Sequence, residues 1–254
     1  ILTSPIISKI GGAYMDSPIS KIHIKNFIKN NGINMADYEK AKYHSFNECF
    51  TRKILPEKRP VEYSRDAFIS PCDSRLSVYR IDEKSTFNIK RSHYKVADLI
   101  PDSKKAPDYN GGICMVFRLC VDDYHRYSYV DNGEIVENKP VKGILHTVRP
   151  IAVNKYPVFA QNSREYSIIE TENFGTVAQI EVGAMMIGKI KNHQKSGLIK
   201  RGEEKGMFLY GGSTIVVLVE KDKVKLPETY FYNTSKDIET RVLYGRKIGT
   251  KYKE

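Results

Sequence analysis

The serine hydroxyl in residues 211–214 (Gly-Gly-Ser-Thr) is the group in this sequence best suited to chemistry on the chain itself. Two glycines directly precede Ser213, and the β-branched run 215–219 (IVVLV) follows it. Glycine reaches positive φ without steric cost, so the backbone can turn sharply just before a buried strand. Because Gly-Ser before a strand is also an ordinary turn, the chemical interpretation depends on the rest of the chain.

A serine that attacks a carbonyl needs a base to take its proton and a third group to orient that base. Histidine and aspartate commonly fill these two roles. The sequence has an aspartate, Asp73, directly after a Pro-Cys pair. Taken alone, an aspartate after Pro-Cys is typical of a turn residue that caps nearby backbone groups.

Five blocks in this order resemble the phosphatidylserine decarboxylase proenzyme family, across roughly residues 40 to 250. The blocks are residues 46–53 (FNECFTRK), 70–73 (SPCD), 123–127 (DYHRY), 182–188 (VGAMMIG) and 208–214 (FLYGGST).

The resemblance implies a pyruvoyl-dependent decarboxylase that converts phosphatidylserine to phosphatidylethanolamine in phospholipid synthesis. It implies that Ser213 attacks the carbonyl of Gly212 and becomes the covalent pyruvoyl group, with no added cofactor or metal. The products would be a large chain of residues 1–212 and a small chain of residues 213–254. Asp73 matches the family's catalytic aspartate, although Ser74 follows it here where the family usually has glycine.

The family's two histidines are only partly present. The family motif commonly reads His-Arg-x-His, whereas this chain has His125 and, three residues later, Ser128. Either His125 performs both self-cleavage and protonation of the substrate carbanion, or another histidine replaces the second one. His146 is the best replacement, since it follows the turn at residues 131–133 and a hairpin-like return could bring it close. The alternative for His146 is a partly exposed histidine on a strand.

We predict an α+β fold in a single domain, with N-terminal helices followed by a β-rich barrel or sandwich-like core. Cap residues predict a helix after Ser17 and short helices after Asn34 and Ser45. A short helix is also favoured around residues 96–100, followed by a polar loop at 101–112. Alternating and β-branched runs predict strands at 76–81, 86–89, 113–120, 128–130, 142–148, 165–170, 176–182, 185–191, 207–210 and 215–219.

The net charge of +11 and a pI near 9.3 indicate an anionic partner. Lysines and arginines are scattered among acidic residues and tryptophan is absent, which argues against a nucleic-acid platform. No run approaches the roughly 20 apolar residues of a membrane-spanning helix. We therefore expect a cytoplasmic protein that binds anionic phospholipid peripherally at the inner face of the membrane, and that could form a homo-oligomer. The apolar residues 1–14 suit either that surface or packing on the domain.

Two other functions fit the same sequence. One is a pyruvoyl-dependent decarboxylase of a soluble amino acid, and the other is an unprocessed, non-catalytic lipid-binding relative that has lost self-cleavage together with a histidine. Electrophoresis separates the second from an active enzyme, because a processed chain runs as two pieces. The cysteines (Cys49, Cys72, Cys114 and Cys120) show no spacing typical of a zinc site and are expected to be reduced thiols.

Overall fold

The N-terminal part of the chain is helical. The computed structural model describes residues 5–89, 92–144, 157–183, 189–211 and 213–252. Its first elements are α1 (Pro5–Asp16), a 3-10 helix (Pro18–His23), α2 (Ile24–Asn30) and α3 (Phe46–Phe50). Ser45 caps α3 by accepting a hydrogen bond from the Glu48 N–H, as the sequence predicts.

A small aromatic core joins these helices. Phe27, Phe46 and Phe50 are buried together with Cys49. Tyr210, which precedes the Gly-Gly-Ser segment, packs against the same cluster. The N-terminal helices therefore pack directly against the segment that leads to Ser213.

An eight-stranded antiparallel sheet forms the centre of the fold, with the order β11-β7-β8-β9-β13-β5-β2-β15. These strands are β2 (Ser74–Arg80), β5 (Ile113–Leu119), β7 (Gly133–Val141), β8 (Arg164–Thr171), β9 (Thr176–Gly183), β11 (Gly197–Ile199), β13 (Ser213–Val219) and β15 (Thr240–Val242).

Three smaller sheets and three short helices cover the large sheet. One sheet contains β1 (Ala67–Ile69), β16 (Lys247–Lys251) and β14 (Val224–Lys225), and a second contains β10 (Ile190–Asn192), β12 (Glu204–Phe208) and β6 (Arg126–Ser128). A hairpin contains β3 (Thr86–Ile89) and β4 (Ser92–Lys95). The helices are α4 (Val96–Leu99), α5 (Val158–Gln161) and α6 (Glu228–Ser235).

The apolar run after Ser213 contributes to a core on each face of the large sheet. Val216 and Leu218 face one core, which also contains the β3-β4 hairpin and α4. Ile215 and Val217 face the other core, which also contains β1 and β16 residues. All seven residues of β13 are buried, because the strand lies in the middle of the sheet with a core on each side.

The predicted α+β class is confirmed, as helices precede a mostly antiparallel β structure. Within the described residues each sheet is open, so the core is layered rather than closed into a barrel. None of the helices in these residues has the length and apolar character needed to span a bilayer.

Candidate active site

Ser213 is the first residue of β13 and is held by hydrogen-bonded strands on both sides. It pairs with Leu119 of β5 and with Gly183 of β9. The residue is fully buried, and its Oγ has no hydrogen-bond partner among the described residues. Gly211 adopts a φ of 148°, a conformation that favours glycine, as the sequence predicted for this turn. Gly212 lies outside the described residues.

Asp73 lies at the same end of the large sheet as Ser213. It directly precedes β2, whose Arg75 pairs with Arg118 of β5, and the next residue of β5 pairs with Ser213. The two sites are therefore two strand spacings apart, or about 10 Å along the sheet.

The Asp73 carboxylate has well-defined partners. Arg59 donates to both of its oxygens, with distances of 2.8 Å and 3.0 Å from Nε and 2.6 Å from Nη2. The backbone N–H of Tyr244 donates to Oδ1 at 2.8 Å. Among the described residues no histidine is hydrogen-bonded to Asp73, so its role in orienting a base stays a prediction.

His125 is buried and lies directly before β6. Its ring lies 4.0 Å, centroid to centroid, from that of Phe50. Its Nδ1 lies 2.9 Å from the backbone oxygen of Asp123. A carbonyl oxygen can only accept, so Nδ1 donates and the neutral ring carries its lone pair on Nε2.

The charge state of His125 differs from that of an exposed histidine. Burial, and after it the positive charge of Arg52, lower the pKa of His125 to about 3, although the hydrogen bond to Asp123 opposes the shift. The imidazole is therefore neutral near pH 7, with an unprotonated Nε2. An exposed histidine titrates near pH 6.5, and this buried environment prevents that for His125.

Ser128, where the family has its second histidine, lies beside the loop that carries Asp73. Its backbone N–H donates to the carbonyl of Pro71 at 2.9 Å. Burial raises the pKa of Tyr244 to about 12, and a hydrogen bond with the Ser128 side chain opposes that rise. Tyr244 therefore contacts Asp73 through its backbone N–H and Ser128 through its hydroxyl.

His146 lies outside the described residues, so its contacts and catalytic role stay a prediction. The hairpin expected to bring it back towards His125 is wrong, however, because β6 and β7 belong to different sheets. β6 pairs with β12, whereas β7 pairs with β8 and β11. The turn at residues 131–133 thus connects two layers rather than two paired strands.

A buried ion pair lies on the same face of the sheet as Ser213. Glu181 of β9 pairs with Ile215, two residues beyond Ser213, so the side chains of Ser213 and Glu181 share a face. Lys205 donates to Glu181 Oε2 at 2.5 Å, and both side chains are fully buried. Burial raises the pKa of Glu181, and the charge of Lys205 opposes this rise.

Several residues that build this site could not be identified from the sequence. Arg59, Tyr244 and Lys205 carry no motif of their own, and each reaches its partner across a long stretch of chain. Arg52 was inside a matched block, but no role was assigned to it. Its guanidinium donates to the Tyr38 hydroxyl at 3.0 Å and lies 4.3 Å from the centroid of that ring.

Comparison with known proteins identifies a family. The sequence model of the family described as phosphatidylserine decarboxylase matches residues 46–250. The chain is 45% identical over 248 residues to phosphatidylserine decarboxylase proenzyme 2 of Clostridium acetobutylicum, covering 98% of this chain and 85% of that protein. It is 40% identical over 251 residues to the phosphatidylserine decarboxylase proenzyme of Clostridium perfringens, covering 97% and 85%. The proenzyme of the same name from Ruminiclostridium cellulolyticum is 39% identical over 249 residues, covering 96% and 83%.

Proposed function

This chain belongs to the phosphatidylserine decarboxylase family, and we infer that it is a self-processing enzyme that converts phosphatidylserine to phosphatidylethanolamine. The observation that carries the proposal is the setting of Ser213. Its hydroxyl is buried and has no hydrogen-bond partner among the described residues, at the fixed end of a strand directly after a glycine-dependent turn. A buried unsatisfied polar atom requires an explanation, and a nucleophile aimed at its own chain supplies one.

Self-cleavage at this position, with formation of the pyruvoyl group, consumes one water molecule. Ser213 Oγ bonds to the carbonyl carbon of Gly212, the C–N bond breaks, and the Oγ proton ends on the new amine. Loss of the Ser213 α-proton then breaks the Cβ–Oγ bond and leaves a carboxylate on residue 212. Hydrolysis of the resulting enamine, as its imine tautomer, consumes one water and releases ammonia, so residue 213 ends as a pyruvoyl group.

The surroundings of residue 213 fit such a group. Its side chain shares a sheet face with Ile215 and Phe117, which are fully buried apolar residues that exclude water. Loss of the Ser213 hydroxyl breaks no side-chain hydrogen bond with the described residues. When present, a pyruvoyl group accepts the electrons released as carbon dioxide leaves, as a pyridoxal ring does.

We propose that His125 moves the substrate proton. A substrate ammonium must lose a proton before its nitrogen can attack a carbonyl, and the carbon that loses carbon dioxide must gain one. A neutral imidazole with a lone pair on Nε2 can accept the first proton and return it for the second step. The lowered pKa of His125 favours the neutral imidazole, which is the form that must be present before the first of these two proton transfers.

We also propose that the N-terminal helices contact anionic phospholipid at the inner face of the membrane. Ile10, Ile19 and Ile22 are 66–68% exposed, and the exposed Lys21 and Lys25 lie in the same helical segment. Exposed apolar side chains next to lysines are suited to the interface of an anionic bilayer.

Replacement of the nucleophile tests the central proposal. Ser213→Ala is expected to leave the chain whole on denaturing electrophoresis, whereas the unmodified chain separates into residues 1–212 and 213–254. Intact-mass analysis of the small chain should show pyruvoyl in place of serine. Ser167→Ala, which removes another buried serine of the same sheet two strands from β13, is the matched control and should cleave normally. Cleavage of Ser213→Ala at the same bond would reject the serine mechanism.

A further inference from the structure

The Asn47 side chain joins two segments that are far apart in the sequence. It lies on α3 and is only 3% exposed. Its Nδ2 donates to Asp16 Oδ1 at 2.7 Å, at the end of α1. Its Oδ1 accepts from the backbone N–H of Tyr210 at 2.9 Å. One amide therefore bridges the last residue of α1 and the segment between β12 and β13.

Tyr210 lies where regular pairing has ended. The preceding residue, Leu209, still donates its N–H to the Lys189 carbonyl at 3.1 Å. Beyond it the chain leaves β12, and it joins β13 only at Ser213. The Asn47 oxygen thus takes the place of a strand partner for the Tyr210 N–H.

Aromatic contacts reinforce this attachment. The Tyr210 ring packs edge-on against Phe46 at 4.9 Å and against Phe50 at 5.2 Å between centroids. Phe50 also packs on His125. The same short helix, α3, therefore fixes the segment ahead of the cleavage site and contacts the ring assigned to proton transfer.

Attack of Ser213 on the preceding carbonyl depends on the position of both sides of that bond. Pairing with β5 and β9 fixes Ser213 itself. On the other side, glycine permits a wide range of backbone angles, so the approach of the carbonyl depends on what anchors residues before Gly211. Reacting atoms must come within about 3–3.5 Å in the correct orientation, and a small displacement reduces the rate strongly.

We propose that Asn47 is a positioning residue for self-cleavage, fixing the peptide segment ahead of Ser213 to the end of α1. The proposal rests on the proposed function, because it assumes cleavage between residues 212 and 213. The asparagine amide suits the position, because its oxygen accepts from Tyr210 while its nitrogen donates to the Asp16 carboxylate.

Exchange of the two side chains tests the bridge. In Asn47→Asp, the new carboxylate accepts from Tyr210 but faces the carboxylate of Asp16, and cleavage should slow by about tenfold or more. The double variant Asp16→Asn/Asn47→Asp restores both hydrogen bonds, with the amide now on residue 16. Its rate should return to within about threefold of the unmodified chain, less than the tenfold effect that displacement causes. The measurement is the rate at which newly synthesised full-length chain converts to two pieces on electrophoresis.

Two further variants separate positioning from folding. Asn47→Leu removes both hydrogen bonds and should slow cleavage, whereas Asn31→Ala, which removes a hydrogen bond to Phe27 in the same helical region, should not. The thermal unfolding of each variant is measured in the Ser213→Ala background, where no chain is cut. Normal cleavage of both Asn47 variants would overturn the proposal. So would failure of the double variant to recover while its thermal unfolding matches that of the parent. Cleavage of Ser213→Ala itself would instead reject the proposed function.

Discussion

At the scale of single residues, the environment of His125 determines its charge. The ring is buried, and Arg52 adds a positive charge close to it. The folded-state pKa of about 3 lies below the ordinary value of 6.5, so the unfolded chain binds the proton more readily. The stability contributed by the neutral ring is therefore complete above pH 6.5 and is lost as the pH falls towards 3.

This linkage predicts a measurable difference in acid stability. In the Ser213→Ala background, the free energy of unfolding should fall between pH 6 and pH 4 with a contribution from His125 of up to about 1.4 kcal/mol per pH unit. Replacement of His125 by Gln should remove that contribution, and denaturant unfolding at several pH values measures it. Replacement of the exposed His93 by Gln is the control and should leave the slope unchanged. Equal slopes for the parent and the His125→Gln variant would show that the ring is not held neutral.

The two histidine assignments predict failure at different steps. If His146 is the base for self-cleavage, His146→Ala should accumulate full-length chain, while His125→Ala should cleave but lack decarboxylase activity. If His125 performs both tasks, His125→Ala alone should accumulate full-length chain and His146→Ala should cleave normally. Electrophoresis reads the first step and release of carbon dioxide reads the second. Normal cleavage by both variants would exclude both histidines as the required base.

Ser213 could be identified from the sequence because its motif is contiguous, but the partners of Asp73 could not. Arg59 precedes Asp73 by 14 residues, and Tyr244 follows it by 171. The Tyr244 contact uses a backbone N–H, which any residue type except proline would supply. A backbone contact between residues this far apart in the chain leaves no signal in the residue types or spacing of the sequence.

At the scale of secondary structure, apolar periodicity identified the central strands and missed the polar ones. The strand predicted at 215–219 forms most of β13, whereas the strand predicted at 207–210 overlaps β12 only at Met207 and Phe208. β7 was missed because it is rich in charged residues and contains Pro140. The pairing of β7 explains why the strand tolerates a proline. On one side β11 pairs only with Gly133 to Ile135, so the Pro140 end of β7 lies on an open edge of the sheet.

Other differences have similar causes. The predicted strand at 142–148 is absent from its described part, residues 142–144, and β6 covers Arg126–Ser128 rather than 128–130. Helix α6 (Glu228–Ser235) was missed because its aromatic and β-branched residues favour strands in isolation. Its Thr234 hydroxyl accepts from the backbone N–H of Val78, which shows that tertiary contact with β2 supports the helix.

The Glu181–Lys205 pair connects two elements of different sheets, β9 and β12. Lys205→Met should leave a buried carboxylate without its counterion and lower the free energy of unfolding by about 3–5 kcal/mol. The double variant Lys205→Met/Glu181→Leu should recover most of that loss, because no uncompensated charge remains. Denaturant unfolding in the Ser213→Ala background measures both.

An exposed ion pair supplies the control for this prediction. Lys53 and Glu39 are about half exposed, with side-chain values of 57% and 47%, and Lys53→Met should change stability by less than about 1 kcal/mol. If Lys205→Met changed the free energy of unfolding as little as Lys53→Met, the buried pair would contribute nothing to the attachment of the β10-β12-β6 sheet.

At the scale of the whole molecule, the excess of basic residues predicts salt-sensitive membrane binding. With a net charge of +11, the chain should sediment with vesicles that contain phosphatidylserine or phosphatidylglycerol, and less so as salt rises. Ile19→Ser/Ile22→Ser should weaken binding further, because these exposed side chains supply the apolar part of the contact. Equal sedimentation with neutral and anionic vesicles at every salt concentration would leave the charge without this role.

Strand pairing predicts that the two chains stay together after cleavage. Residues 213–252 supply three strands that pair with strands of the large chain. β13 pairs with β5 and β9, β15 pairs with β2, and β16 pairs with β1. Separation would expose the seven buried residues of β13 and open hydrogen bonds in two sheets, at a large cost in free energy.

A cut at the proposed position, between residues 212 and 213, should change little in this arrangement, because Ser213 begins β13 and no strand is divided. The two pieces should therefore elute as one species on native size exclusion and separate only in denaturant. The uncut Ser213→Ala chain supplies the reference elution volume. A small chain that left the column alone under native conditions would show that the peptide bond, and not the sheet, keeps β13 in place.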